Sequence, residues 1–131
     1  YINTSIRGVD IKEIDSLQAV GKTLYANAAY TEAIPYLSQG NLSTEVRILL
    51  GSAWLTQNQP DSALVVLSTI LSEPQAIGYQ TNHARWYTAL AYLKLKDIPK
   101  AIELLYVLSN AKNDYQQQAQ QLLKELPQKD N

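Results

Sequence analysis

The run Ala89-Leu90-Ala91-Tyr92-Leu93, followed after a charged break by Asp97-Ile98-Pro99-Lys100-Ala101-Ile102, decides the fold. Apolar residues recur at helical spacing on both sides of Lys94-Leu95-Lys96, so the stretch reads as two helices joined by a short turn, which pack antiparallel. A small residue, Ala89, is followed by the large Tyr92 three positions on and by a second alanine, Ala101, twelve positions on. The same spacing occurs twice upstream, as Gly21, Leu24 and Ala33 and as Gly51, Trp54 and Ala63. A spacing that returns three times in one chain marks a structural repeat.

Working outward, helical periodicity holds almost throughout from Ile11, and no apolar–polar alternation lasts long enough for a strand. The pattern predicts helices over 11–27, 31–39, 43–57, 60–72, 81–94, 98–109 and 114–126. In the first, Ile14, Leu17, Val20, Gly21, Leu24 and Ala28 form one apolar stripe. The second stops at Gly40-Asn41, a C-terminal signal, and its Pro35 is read as lying early, where spare N–H groups make it tolerable. Ser43-Thr44-Glu45 and Asp97 supply N-terminal caps, and Pro60 opens the fourth helix. Residues 73–80, with Pro74 and Gly78, read as the longest loop. The last helix is glutamine-rich, with a single stripe of Tyr115, Ala119, Leu122, Leu123 and Leu126.

The three spaced segments resemble the tetratricopeptide repeat (TPR). The resemblance implies an all-α fold: an α-α superhelix of three helical hairpins, at about 14–42, 44–75 and 82–110, plus a C-terminal capping helix at about 114–126. An extended lead-in, 1–10, and a tail, 127–131, flank this domain, which spans 11–126. The small residues would let the two helices of a hairpin approach closely, giving tight crossings at Gly21/Ala33, Gly51/Ala63 and Ala89/Ala101. The large residue would wedge between hairpins, and Leu37, Leu67 and Leu105 would fill the core between repeats. The alanine-to-alanine intervals are 30 and 38 residues, which straddle the 34 of a regular TPR. The first repeat is expected to lose a turn near Gly40-Asn41, and the second to gain a loop at 73–80. The stretch 84–97 is similar to bacterial TPR proteins in which such a domain follows a single membrane span.

By the same resemblance, ligand-facing positions on the concave surface lie three and six before each small residue, and one and four after it. These are Asp15, Gln18, Lys22 and Tyr25 in the first repeat, then Glu45, Ile48, Ser52 and Leu55, then His83, Trp86, Leu90 and Leu93. Lys22, Tyr25, Ile48, Ser52, Leu55, Trp86, Leu90 and Leu93 are the candidates for partner binding. The surface reads as polar at its N-terminal end and apolar at its C-terminal end. It would receive an extended or helical peptide, or be filled internally by the lead-in or the last helix. Lys22 is the lone cation in the set, so the lysine-rich clamp of TPR domains that grip chaperone tails is not expected.

Composition narrows the alternatives. The 131 residues suffice for one domain with a sizeable core. With 46% apolar and 18% charged residues the chain is globular rather than disordered. Eleven basic against 12 acidic residues leave no cationic stripe for nucleic acid. The absence of cysteine removes disulfides, thiolate metal sites and cysteine nucleophiles. No apolar run nears the roughly 20 residues of a spanning helix, and no signal-peptide pattern opens the chain. Because the chain opens at Tyr1 and holds no methionine, it is expected to be a domain of a longer or processed protein, with an upstream anchor left open.

No catalytic, cofactor-binding or metal-binding residue is expected. His83 is the one histidine, so no histidine pair exists for a metal, and it reads as a surface or capping residue. No serine sits in a Gly-x-Ser-x-Gly elbow, and five scattered glycines make no phosphate loop. Glu13 with Asp15, and Glu45 with Arg47, point apart on their helices. Nine tyrosines without a phenylalanine suggest either an aromatic contact surface, carbohydrate included, or wedge positions whose hydroxyls reach solvent, the second being favoured. The expected function is a non-catalytic protein–protein interaction or scaffolding module for a protein or peptide partner. The alternative is a structural spacer or self-association domain, a homodimer included, of a larger membrane-anchored bacterial protein. The expected location is the extracytoplasmic (periplasmic) side of the membrane, with the cytoplasm as the alternative.

Overall fold

The computed structural model describes residues 11–73 and 78–127. The expected lead-in, most of the expected tail and the side chain of Ile14 lie outside the described residues. Among those residues the chain is all-helical: α1 (Ile11–Ala26), α2 (Tyr30–Leu37), α3 (Thr44–Thr56), α4 (Pro60–Leu71), α5 (Gly78–Lys94), α6 (Ile98–Ser109) and α7 (Gln116–Glu125). Local chemistry sets several of these ends. The Ser43 hydroxyl accepts from the Val46 N–H at 3.2 Å and starts α3, and the Asp97 carboxylate accepts from the Lys100 N–H and starts α6.

Each helix packs on its neighbours in the chain, and α3 also packs on α1 and α5. The hairpins α1–α2, α3–α4 and α5–α6 turn in one way. The N–H groups of Ala29, Gln59 and Asp97 donate to the carbonyls of Leu24, Trp54 and Tyr92 at 2.8, 2.8 and 2.9 Å. Those of Ala28, Asn58 and Lys96 donate to Tyr25, Leu55 and Leu93 at 2.9, 2.9 and 3.0 Å. This is a paired helix-ending motif that needs a left-handed residue, and Ala28, Asn58 and Lys96 have φ of 62°, 59° and 64°. The recurrence in sequence thus reappears as a recurrence of backbone hydrogen bonds at the same offsets.

The core lies between and within the hairpins. Ala33, Leu37, Val46, Leu50 and Ala53 make its first part, Ala63, Leu67, Ile70, Ala84 and Ala91 its second, and Ala89, Leu105, Leu108 and Ala119 its third. Trp54 touches the first two parts, as expected of a wedge. The stripe expected on the last helix packs as a unit into the third. Each of Leu37, Leu67 and Leu105 is fully enclosed, a stabilisation of about 1.5–3 kcal/mol apiece.

Several expectations are corrected. The closest approach to Gly21 and Gly51 is by Leu37 and Leu67, one turn beyond Ala33 and Ala63; a Cβ there would lie 2.8 Å from the Leu37 nitrogen and 2.5 Å from Leu67 side-chain carbons. These leucines therefore sit at crossings within hairpins as well as in the core between them. Gly78 is helical, not part of a loop. Of the loop expected at 73–80, residues 74–77 lie outside the described residues; α4 and α5, of 12 and 17 residues against 8 and 13 for α2 and α3, each add about a turn to the second interval. Pro35 lies in the second turn of α2, so the Thr31 carbonyl loses its helical donor in a helix of 8 residues. Val20 is 44% exposed because α1 ends the described stack and has a helix layer on one side only, and Ala28 lies beyond the helix as the left-handed residue of the hinge. The last helix is shorter than expected, with Tyr115 as its cap and Asp114 in the preceding turn.

Candidate functional site

Helices α1, α3 and α5 lie side by side and run the same way. Gln18, Lys22 and Tyr25 on α1 meet Asn41, Glu45 and Ser52 in the same order along α3 and its approach. The start of α3 faces the start of α5 across a groove of about 500 Å³. Tyr25 supplies one wall. Glu45, Ile48 and Leu49, one turn apart on α3, form the floor. Tyr79, Gln80, His83 and Tyr87, on one face of α5, form the far wall. Tyr79 and His83 are shared with a second hollow of about 280 Å³, closed by Lys112, Asn113, Asp114 and Tyr115.

Electrostatics on this face are set by tyrosine hydroxyls and one ion pair. The Tyr25 hydroxyl lies 2.8 Å from Ser52 Oγ, and burial raises its pKa despite that bond, with Tyr87 and Tyr30 close by. The Tyr115 hydroxyl lies 2.6 Å from His83 Nδ1. Burial, then the neighbouring Tyr87 and Asp114, push its pKa far above the ordinary tyrosine range. At the rim Lys22 Nζ pairs with Glu45 Oε1 at 3.1 Å, both side chains being well exposed at 45% and 66%.

The structure brings Tyr25 and Ile48 together in this groove, with Lys22 at its edge. It takes others out of reach. Leu55 is 6% exposed and belongs to the core, and Ser52 is buried with its hydroxyl engaged by Tyr25. The Trp86 ring is stacked on Tyr115 and packs on the third core part. Leu90 packs on the second core part, and neither it nor the half-buried Leu93 lines the groove. Gln18 spends its amide on the carbonyls of Gln39 and Asn41, which closes the end of α2, and Asp15 lies exposed, away from the groove. His83 is not a cap; it sits half-buried between the rings of Tyr79 and Tyr115 and lines both hollows.

Leu49, Tyr79, Gln80, Tyr87 and Tyr115 are the residues of this face that the sequence reading missed. Tyr79, His83 and Tyr87 recur every four positions, a signal available in the sequence. Tyr115 arrives from the turn before α7, and no spacing within the repeats points to it. The hydroxyls of Tyr25 and Tyr115 meet partners within the protein, whereas Tyr79 is exposed.

Among the described residues, no group of three His, Cys, Asp or Glu side chains is placed to hold a metal, and no helix is long and apolar enough to cross a membrane. No family model matches the chain, and neither a curated protein nor a solved structure matches it significantly.

Proposed function

We propose that the chain is a short TPR-like superhelix whose concave face, the layer of α1, α3 and α5, receives a peptide segment of a protein partner. The observation that carries this reading is the groove of about 500 Å³ between parallel helices of successive hairpins. It combines aliphatic floor residues, Ile48 and Leu49, with polar wall residues, Gln80, His83 and the exposed Tyr79, the mixture suited to a side chain that must be both buried and oriented. The role is non-catalytic: burial favours the neutral phenols of Tyr25 and Tyr115, and His83, the single histidine, is engaged with Tyr115.

Selection of a displayed random dodecapeptide library on the chain tests the reading. Enriched peptides should lose at least about tenfold in affinity for a Tyr79→Ala/Gln80→Ala variant, both positions lying on the groove wall and Tyr79 being 61% exposed, with helicity unchanged. Peptides that bind both proteins equally overturn the groove as the site.

A second reading, a spacer or self-association domain of a larger membrane-anchored bacterial protein, draws on the internal use of Leu55 and Trp86, which removes two of the apolar residues expected on this face. Sedimentation at rising concentration separates the two: a tight dimer that the Tyr79→Ala/Gln80→Ala variant retains favours the second.

A further inference from the structure

The geometry points to a lysine or arginine side chain of the bound peptide as the group that the groove over α3 receives, its charge set against Glu45 and the tyrosine rings. This rests on the concave-face reading above and names the chemistry of the residue that anchors there.

Four observations carry it. Among the described residues, Glu45 is the one formally charged group in the lining, which contains no lysine or arginine. Three of the remaining side chains are tyrosines, Tyr25, Tyr79 and Tyr87, and aromatic rings attract cations through their quadrupole. The floor beside Glu45 is aliphatic, Ile48 and Leu49, so a long methylene stem ending in a charge finds matching surroundings along its whole length. Finally, the Glu45 carboxylate already holds an ammonium group, that of Lys22, at 3.1 Å.

That last contact shows what the carboxylate accepts. Both partners are well exposed, and an ion pair of this kind contributes little to folding, so an incoming cation exchanges with Lys22 at small penalty. An anionic ligand finds the reverse situation. The nearest cation in the adjoining hollow, Lys112, lies there together with Asp114, and the groove itself offers an anion a carboxylate.

The test uses four small probes of equal chain length on the isotope-labelled chain at low ionic strength: n-butylammonium, n-butylguanidinium, n-butanol and butyrate. The two cations should shift the backbone amide signals of Ile48, Leu49, Tyr79 and His83 saturably, with n-butanol at least about fivefold weaker and butyrate without effect there. Lys22→Ala should tighten cation binding roughly twofold to fivefold by freeing the carboxylate, and Glu45→Gln should weaken it by a similar factor. The opposite signs of two substitutions on one ion pair are not reproduced by a general loosening of the fold. Butanol or butyrate acting on the same amides as strongly as the cations overturns the charge assignment and leaves the concave-face reading standing. Cation shifts confined to other residues, no shift with any probe, or a Lys22→Ala variant that binds more weakly likewise overturns the proposal. Library peptides that ignore the groove remove both.

Discussion

The indole of Trp86 lies nearly parallel to the phenol ring of Tyr115, with 5.1 Å between centroids and 10° between planes. One ring belongs to α5 and the other to the turn before α7, so the stack ties the last helix to the layer that carries the groove. Stacked aromatic pairs add about 0.5–1.5 kcal/mol beyond the area they bury. Tyr115→Ala should therefore destabilise the chain by about 2 kcal/mol, once the lost burial is included, and move Trp86 emission to the red. Tyr115→Phe keeps the ring and loses the bond to His83, a loss of about 1 kcal/mol; its emission should stay unshifted. Urea unfolding followed by tryptophan fluorescence checks both.

Gly51 is approached more closely than Gly21 by the facing helix. A Cβ placed there would sit 2.5 Å from the Leu67 side chain. Alanine favours a helix over glycine by about 1 kcal/mol, but overpacking a closed crossing destabilises by about 1–3 kcal/mol. Gly51→Ala should accordingly lower the melting temperature, and shortening Leu67 to alanine in the same chain should cost less than the sum of the two single changes. A double-mutant cycle measures that coupling.

Ala28 holds the left-handed conformation that Asn58 and Lys96 hold in the other hairpins. Alanine has no local side-chain hydrogen bond to offset the clash of its Cβ, whereas asparagine tolerates this region. Ala28→Gly should stabilise the chain by about 1 kcal/mol, and Asn58→Gly by much less. Equal gains at the two sites would contradict the account of the turn.

Acid stability should depend on Glu73. The Arg47 guanidinium grips its carboxylate with two nitrogens, at 2.8 and 2.9 Å, and these bonds lower its pKa below the usual 4.5. A carboxyl lowered on folding contributes stability that is present above its unfolded pKa and is lost as the pH falls through the folded one. The wild-type chain should therefore lose its advantage over Glu73→Gln progressively as the pH drops below about 4.5, the two curves meeting at the acid end. A constant gap across pH 2–7, in roughly equal steps of denaturant midpoint, would rule this out.

The alkaline limb has the other sign. Burial raises the pKa of Tyr25 and Tyr115, so the fold favours the neutral phenols. Their contribution is intact below the ordinary tyrosine pKa of 10 and is lost as the pH climbs through the raised values. Tyr115→Phe should flatten the fall in stability above about pH 10, measured as the denaturant midpoint against pH.

The sequence was most informative where a local rule decides the outcome. Helix α6 begins and ends where its spacing predicts because Asp97 caps it and Asn110 follows its last turn. The stripe on α7 packs as a unit because a polar helix with one apolar face has one way to bury it. The candidate site was less legible. Positions counted from Gly21, Gly51 and Ala89 assume equal helices in equal register, but α4 and α5 each carry an extra turn over their counterparts. The extra turn at the start of α5 brings Tyr79, ten positions before Ala89 and outside the counted range, to the groove beside Tyr25 and Tyr87, while Tyr115, from outside the repeats, occupies Trp86. The start of α5 was hidden by Gly78, which reads as a loop residue in isolation and is helical in place.

The three hairpin hinges are three-residue links, 27–29, 57–59 and 95–97, with one hydrogen-bond pattern among them. Because α1, α3 and α5 run the same way, all three hinges fall on one margin of the molecule, while every change in helix length falls toward the opposite margin. The chain thus has a conserved-geometry edge and a permissive edge. An insertion at the second margin should therefore leave the spacing of the first unchanged.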